Sequence, residues 1–100
     1  MDMTTKENII AEIRAKRKEH LEELKQAIEA TNPDAMLVDG HDHALAGYDT
    51  QGRAIYFADA IIDTLMNRDG MTHEEAIEFF DFNIAGAYVG EYTPIYMYEE

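Results

Sequence analysis

From Thr4 to Ala30 the chain runs for about 27 residues without a glycine or proline, through residues that mostly favour helix. Thr4 followed by Glu7 fits a capping box at its start. Asn32-Pro33 ends the run, because a residue before proline avoids the helical region. A helix of that length measures roughly 40 Å, more than the width of the compact body that 100 residues can build. Part of it must overhang or bend. Its apolar positions are Ile9, Ile10, Ile13, Leu21, Leu24 and Ile28, with the basic run Arg14, Lys16, Arg17, Lys18 breaking the stripe midway. The overhang either packs on a second copy, giving a homodimer through the N-terminal helix, or stands in solvent. A continuous coiled coil is disfavoured because Arg17 falls where a third heptad contact belongs.

The rest of the chain reads as an α+β core. His43 to Tyr48 and Arg53 to Phe57 flank Asp49-Thr50-Gln51-Gly52, a four-residue connection with glycine at a left-handed position, and predict a β-hairpin. Ile55 and Phe57, alternating with Tyr56, would put apolar bulk on one face. Ala58, Ile61, Ile62, Leu65 and Met66 follow helical spacing up to Gly70. Thr72 with Glu75 makes a second capping box, opening a helix with Ala76, Ile77, Phe80, Ile84 and Ala87 on one face and its end by Gly90. Asn83 inside that stretch reads as a buried, satisfied amide. Pro94 precedes a last strand, Ile95 to Tyr98. Residues 35 to 38 are apolar and fit either a strand or a helical turn. Segregated strands and helices imply a small sheet covered by helices, in one domain over 1–100: a helix at 1–31 and an acidic core at 33–100.

Besides 13 Ala there are 33 larger apolar or aromatic residues, enough for one packed layer. Cys is absent, which removes disulfides, and the polar start does not resemble a signal peptide, so a cytoplasmic setting is expected. No apolar run approaches the ~20 residues of a membrane span.

Charge is unevenly placed. Residues 1 to 32 hold seven acids and six bases, net −1, whereas residues 33 to 100 hold fourteen acids against only Arg53 and Arg68, net −12 of the total −13. Such a core repels nucleic acid and anionic lipid, so a charged partner should be basic.

Little in the chain supports catalysis. Ser is absent along with Cys, which removes the two commonest nucleophiles and every triad built on them. His41 and His43 beside Asp39 form the one compact set of potential metal ligands. If they lie on a strand they share a face, but third and fourth ligands are not identified. His73-Glu74 starts like the zinc-protease helix motif, yet position 77 is Ile where a second His is required. Glu74, Glu75 and Glu78 suit a helix N-terminus facing water. Tyr88, Tyr92, Tyr96 and Tyr98 lie beside Glu91, Glu99 and Glu100, a composition typical of protein-binding surfaces.

Residues 69 to 94, DGMTHEEAIEFFDFNIAGAYVGEYTP, resemble the C-terminal signature of a family of small proteins encoded by phages, prophages and their hosts. The likeness extends upstream to Asp39-Gly40, to AGYDTQGRAIYF at 46 to 57 and to LMNRDG at 65 to 70, and so covers about the last two thirds. It implies a phage or host-cell setting and brings no activity or cofactor with it. His41 and His43 depart from the family pattern, which has apolar and acidic residues there, and the long helix lies outside the shared part.

Together these features favour a non-enzymatic, phage-type accessory protein without a cofactor. Its acidic face would occupy, and inhibit, the basic surface of a nucleic-acid-handling host protein, as an anti-defence factor or nucleic-acid mimic. The expected contact residues are Glu74, Glu75, Glu78, Asp81, Glu91, Tyr92, Tyr96 and Tyr98. The alternatives are a structural or assembly protein dimerising through its first helix, and a metal-dependent hydrolase using His41 and His43.

Overall fold

The computed structural model describes residues 5–99. It is α+β, in the order α1 (Thr5–Thr31), a 3-10 turn (Asp42–Ala44), β1 (Leu45–Tyr48), β2 (Ala54–Phe57), α2 (Ala58–Asn67), α3 (His73–Phe79), a π-helical segment (Phe80–Ala85) and β3 (Ile95–Met97). The cap expected from Thr4 lies outside the described residues. Among them, no helix is long and apolar enough to cross a membrane.

The sheet is mixed, with order β1-β2-β3. β1 and β2 form the expected antiparallel hairpin, with a bulge between Leu45 and Gly47. β3 returns parallel to β2, pairing Tyr56 with Tyr96, because the chain crosses over through α2 and α3 before rejoining the sheet. Ala54 and Tyr56 are fully buried, so they form the core face of β2; Ile55 and Phe57, expected to carry that face, are only half-buried.

The core gathers Ile28 from α1, Ala44 and Leu45, Tyr56, Ile61, Ile62 and Leu65 of α2, Ala76 of α3 and Phe80 of the π segment. Each fully buried large side chain contributes about 1.5–3 kcal/mol of transfer free energy. The spacing read in α2 is realised: Ala58, Ile61, Ile62 and Leu65 are buried on one face. Residues 35 to 38 are neither strand nor helix. They are strapped across the core by Tyr56, whose hydroxyl oxygen accepts the Val38 amide at 2.9 Å.

Only the C-terminal third of α1 belongs to this core. Leu21 and Leu24 pack against it and Ile28 is buried, whereas residues 5–20 are exposed throughout. A radius of gyration of 15.6 Å, against about 13 Å for a compact chain of this length, reflects the projecting arm.

Asn32 anchors the docked end. Its side-chain carbonyl accepts the Asp34 amide at 3.0 Å and its Nδ2 donates to Gln51 O at 3.2 Å, so the end of α1 is bonded to the hairpin turn. The turn is held by Asp49, whose carboxylate accepts from the Gln51 and Arg53 amides at 2.9 Å and from Arg53 Nε at 2.6 Å. Partial desolvation pushes the Asp49 carboxyl up, but the Arg53 and Gln51 bonds outweigh it and hold the group below its ordinary range.

Gly52 closes the turn at φ +83°, and a Cβ there would sit 2.4 Å from Asn32 Cβ. Gly52→Ala should therefore destabilise the chain by about 2–4 kcal/mol in urea unfolding, from backbone strain and the clash together. Gly47→Ala, where a Cβ meets nothing within 4 Å, should leave the midpoint unchanged or raise it slightly. Equal effects at both positions would contradict this docking.

Candidate functional site

α3 starts with the capping box read from the sequence: Glu75 N donates to Thr72 Oγ1 at 3.2 Å and Thr72 N donates to Glu75 Oε1 at 3.0 Å. The backbone amide and then the hydroxyl of Thr72 hold the Glu75 carboxyl below its ordinary range. Glu75 is thus engaged in the cap, while Glu74, Glu78 and Asp81 face solvent. Ala76 and Phe80 point into the core.

At Phe80 the helix widens into the π segment, whose longer hydrogen-bonded turns advance less rotation per residue. This decides the next side chains. On an unbroken α-helix Asn83, seven residues after Ala76 and three after Phe80, would fall on the core face. Through the wider turn Ile84 keeps its expected place against the core, and Asn83 is exposed, not the buried amide expected inside that stretch. Phe82 is thrown outward and is 80% exposed, with Phe79 beside it at 39%. The segment closes on Gly86, where a Cβ would come within 2.5 Å of Asp81 O.

The result is a surface groove of about 360 Å³ lined by Met71, Glu75, Glu78, Phe79, Phe82 and Asn83. An apolar floor with a carboxylate rim is what a docking surface for a basic, partly apolar partner requires. Sequence reasoning found the acids but missed both phenylalanines. The run Phe79-Phe80-Asp81-Phe82 carries three aromatics within four residues, more than one core face accepts on any helix, and that signal was available.

The C-terminal tyrosines divide. Tyr96, one of the expected contact residues, is partly buried and packs against the core: its ring stacks on Tyr56 at 6.1 Å and meets Phe80 in a T-shaped contact at 5.4 Å, and burial raises its hydroxyl pKa. Tyr92 is half-buried; Tyr98 and Glu91 are exposed, as is Tyr88 at 80%. A second concavity, about 240 Å³, lies under the 35–38 strap between Val38, Ile84, Pro94 and Tyr96, with Asp39 as its one ionisable carboxylate.

The histidines do not lie on a strand. His41 precedes the 3-10 turn and His43 is inside it, with ring centroids 5.9 Å apart. His43 Nε2 is hydrogen-bonded to Thr64 Oγ1 on α2, and Asp42 is taken by Lys25 of α1 at 2.8 Å. Among the described residues, no three His, Asp or Glu side chains gather in a way that could hold a metal ion.

Compared with protein families, curated proteins and solved structures, the chain matches none.

His41 is 5% exposed and its Nδ1 is buried without a partner. Burial, then Arg68 and His43, lower its pKa from the ordinary 6.5, with Asp69 opposing. The folded state therefore holds a neutral ring, while the unfolded chain takes up a proton as pH falls through about 6.5. Stability from this site is present above that value and is lost below it. The urea midpoint should fall between roughly pH 7.5 and pH 5.5, ahead of carboxylate titration. In His41→Gln that step should vanish; an identical step in both proteins would remove His41 as its source.

Proposed function

We propose that this chain is a non-enzymatic accessory protein of the phage-encoded kind that residues 69 to 94 resemble, acting in the host cytoplasm by covering the basic surface of a nucleic-acid-handling protein. The observation that carries this reading is the surface of α3 and its π extension. There Phe82, 80% exposed, lines a groove with Glu75 and Glu78, and Glu74 and Asp81 are exposed on the same helical stretch.

The core offers those carboxylates no internal cation. Its two arginines are bound elsewhere, Arg53 to Asp49 and Arg68 to Asp69. The acids therefore remain available to lysines and arginines of a partner, steering its approach and setting its register. An exposed aromatic at the centre of a charged rim supplies the desolvated anchor on which most interface energy concentrates. Asp59 and Asp63, exposed on α2 where it packs beside α3, add to the acidity of the helical layer. Glu91 and Tyr98 belong to the C-terminal part of the same reading; Tyr96 does not, because the core uses its ring.

The test begins with capture from a host lysate at low salt, followed by titration of the purified basic protein recovered. Binding should weaken about tenfold or more between roughly 50 and 300 mM salt, and nucleic acid should compete for the same partner. Phe82→Ala combined with Glu78→Lys should cost a further factor of about ten in affinity with no change in melting temperature, since both side chains are exposed. Binding that ignores salt, or that survives the double substitution intact, would exclude this surface as the contact.

A further inference from the structure

We propose that the projecting turns of α1 dock in trans, in the Phe79–Phe82 groove of a second copy, so that two chains pair by exchanging arms. The arm carries an apolar face with no support: Ile9, Ile10 and Ile13 are 51%, 38% and 53% exposed. Lys16 and Arg17 lie on that same face, at steps of seven and eight from Ile9. One surface therefore runs from apolar at its N-terminal end to basic at its C-terminal end.

The groove has the complementary gradient. Met71, Glu75 and Glu78 line its N-terminal end, and Phe79, Phe82 and Asn83 follow. Laid antiparallel to α3, the arm sets Ile9, Ile10 and Ile13 over the phenylalanines and Lys16 and Arg17 over the glutamates. The parallel direction would set aromatic rings under the basic run and carboxylates under isoleucines.

Geometry excludes the chain's own arm as the occupant. The helix is continuous from Thr5 to Thr31 and residues 5–20 are exposed, so an arm does not reach its own groove. Arm-on-arm pairing leaves the basic run without acidic partners: parallel, it stacks the Arg14–Lys18 run on itself, and antiparallel about Ile13 it opposes Ile9 to Arg17 and Ile10 to Lys16. The arm's exposed four and a half turns are about 24 Å long, and two reciprocal contacts bury on the order of 1,000 Å², where specific interfaces begin.

The pairing uses the groove assigned above to a basic partner but not that partner. Measured on the purified full chain alone, its failure leaves the partner reading intact. Sedimentation equilibrium of the wild-type chain should show a monomer–dimer equilibrium in the micromolar range at low salt. Arg17→Glu and Glu78→Lys should each weaken self-association about tenfold or more, because each places like charges at both contacts. Mixed in equal amounts, the two variants should form a heterodimer, since reversed arm then meets reversed groove and native arm meets native groove. Circular dichroism of each variant confirms that it folds. A wild-type chain that stays monomeric up to hundreds of micromolar, dimers that persist in both single variants, or a mixture that fails to pair would each overturn the proposal.

Discussion

Tyr56 has no exposed surface, and three parts of the chain, the 35–38 strap, β3 and the start of the π segment, are tied together through it. Its hydroxyl takes the Val38 amide, which holds the 35–38 strap; its face stacks on Tyr96, which holds β3; and Tyr96 in turn receives the edge of Phe80. β3 is three residues long and lies at the edge of the sheet, too short to be stable by backbone pairing alone. Aromatic contacts of this geometry add about 0.5–1.5 kcal/mol each beyond area burial. Phe80 is also the first residue of the π segment, so the ring cluster fixes the point at which the helix widens. The outward direction of Phe82 follows from where Phe80 is pinned.

The cations are distributed by the same division between body and arm. Those that touch the body are spent on local bonds: Lys25 joins α1 to the 3-10 turn through Asp42, Arg53 braces the hairpin turn, and Arg68 reaches both Gly40 O and Asp69. None is left to neutralise the acids on the outer faces of α2 and α3. Arg14, Lys16, Arg17 and Lys18 lie on the part of α1 that leaves the body. The molecule therefore has an acidic body and a basic spur. Self-repulsion in the body disfavours folding slightly, and an external cation in either form relieves it.

Where the sequence carried a local signal with a mechanism, the fold was legible. The second capping box, the apolar spacing of α2, the glycine of the hairpin turn and the end of α1 before Pro33 are all present in the structure. The differences have local causes, the first of them a helical phase extrapolated through a place where it changes. A period of 3.6 places Asn83 inward, and the π segment places it outward. Tyr96 was grouped with its neighbours by composition, although whether it faces the core depends on β3 pairing in parallel with β2, a long-range choice invisible in residues 88 to 98. His41 and His43 were given the alternation of a strand that begins only at Leu45. The acids of the candidate surface could be read from the chain, and the clustered phenylalanines signalled that one at least would be exposed, but which of the three the core would take depends on the π segment.

Two occupants are assigned to one groove, and mass action links them. When the arm of a second copy fills it, a basic partner binds only the open fraction, and its apparent affinity falls by that fraction. Both proposed contacts use Glu78 and Phe82 and both would weaken with salt, so raising the ionic strength would empty the groove while it weakened the partner. The measured salt slope of partner binding is then shallower than the intrinsic one at protein concentrations where the dimer is populated, and approaches it on dilution. Arg17→Glu separates the two effects, because it lies on the arm and leaves the groove unaltered. In that variant the groove is open, and partner binding should become tighter at low salt than in the wild-type chain, by up to the factor by which self-association had occluded it.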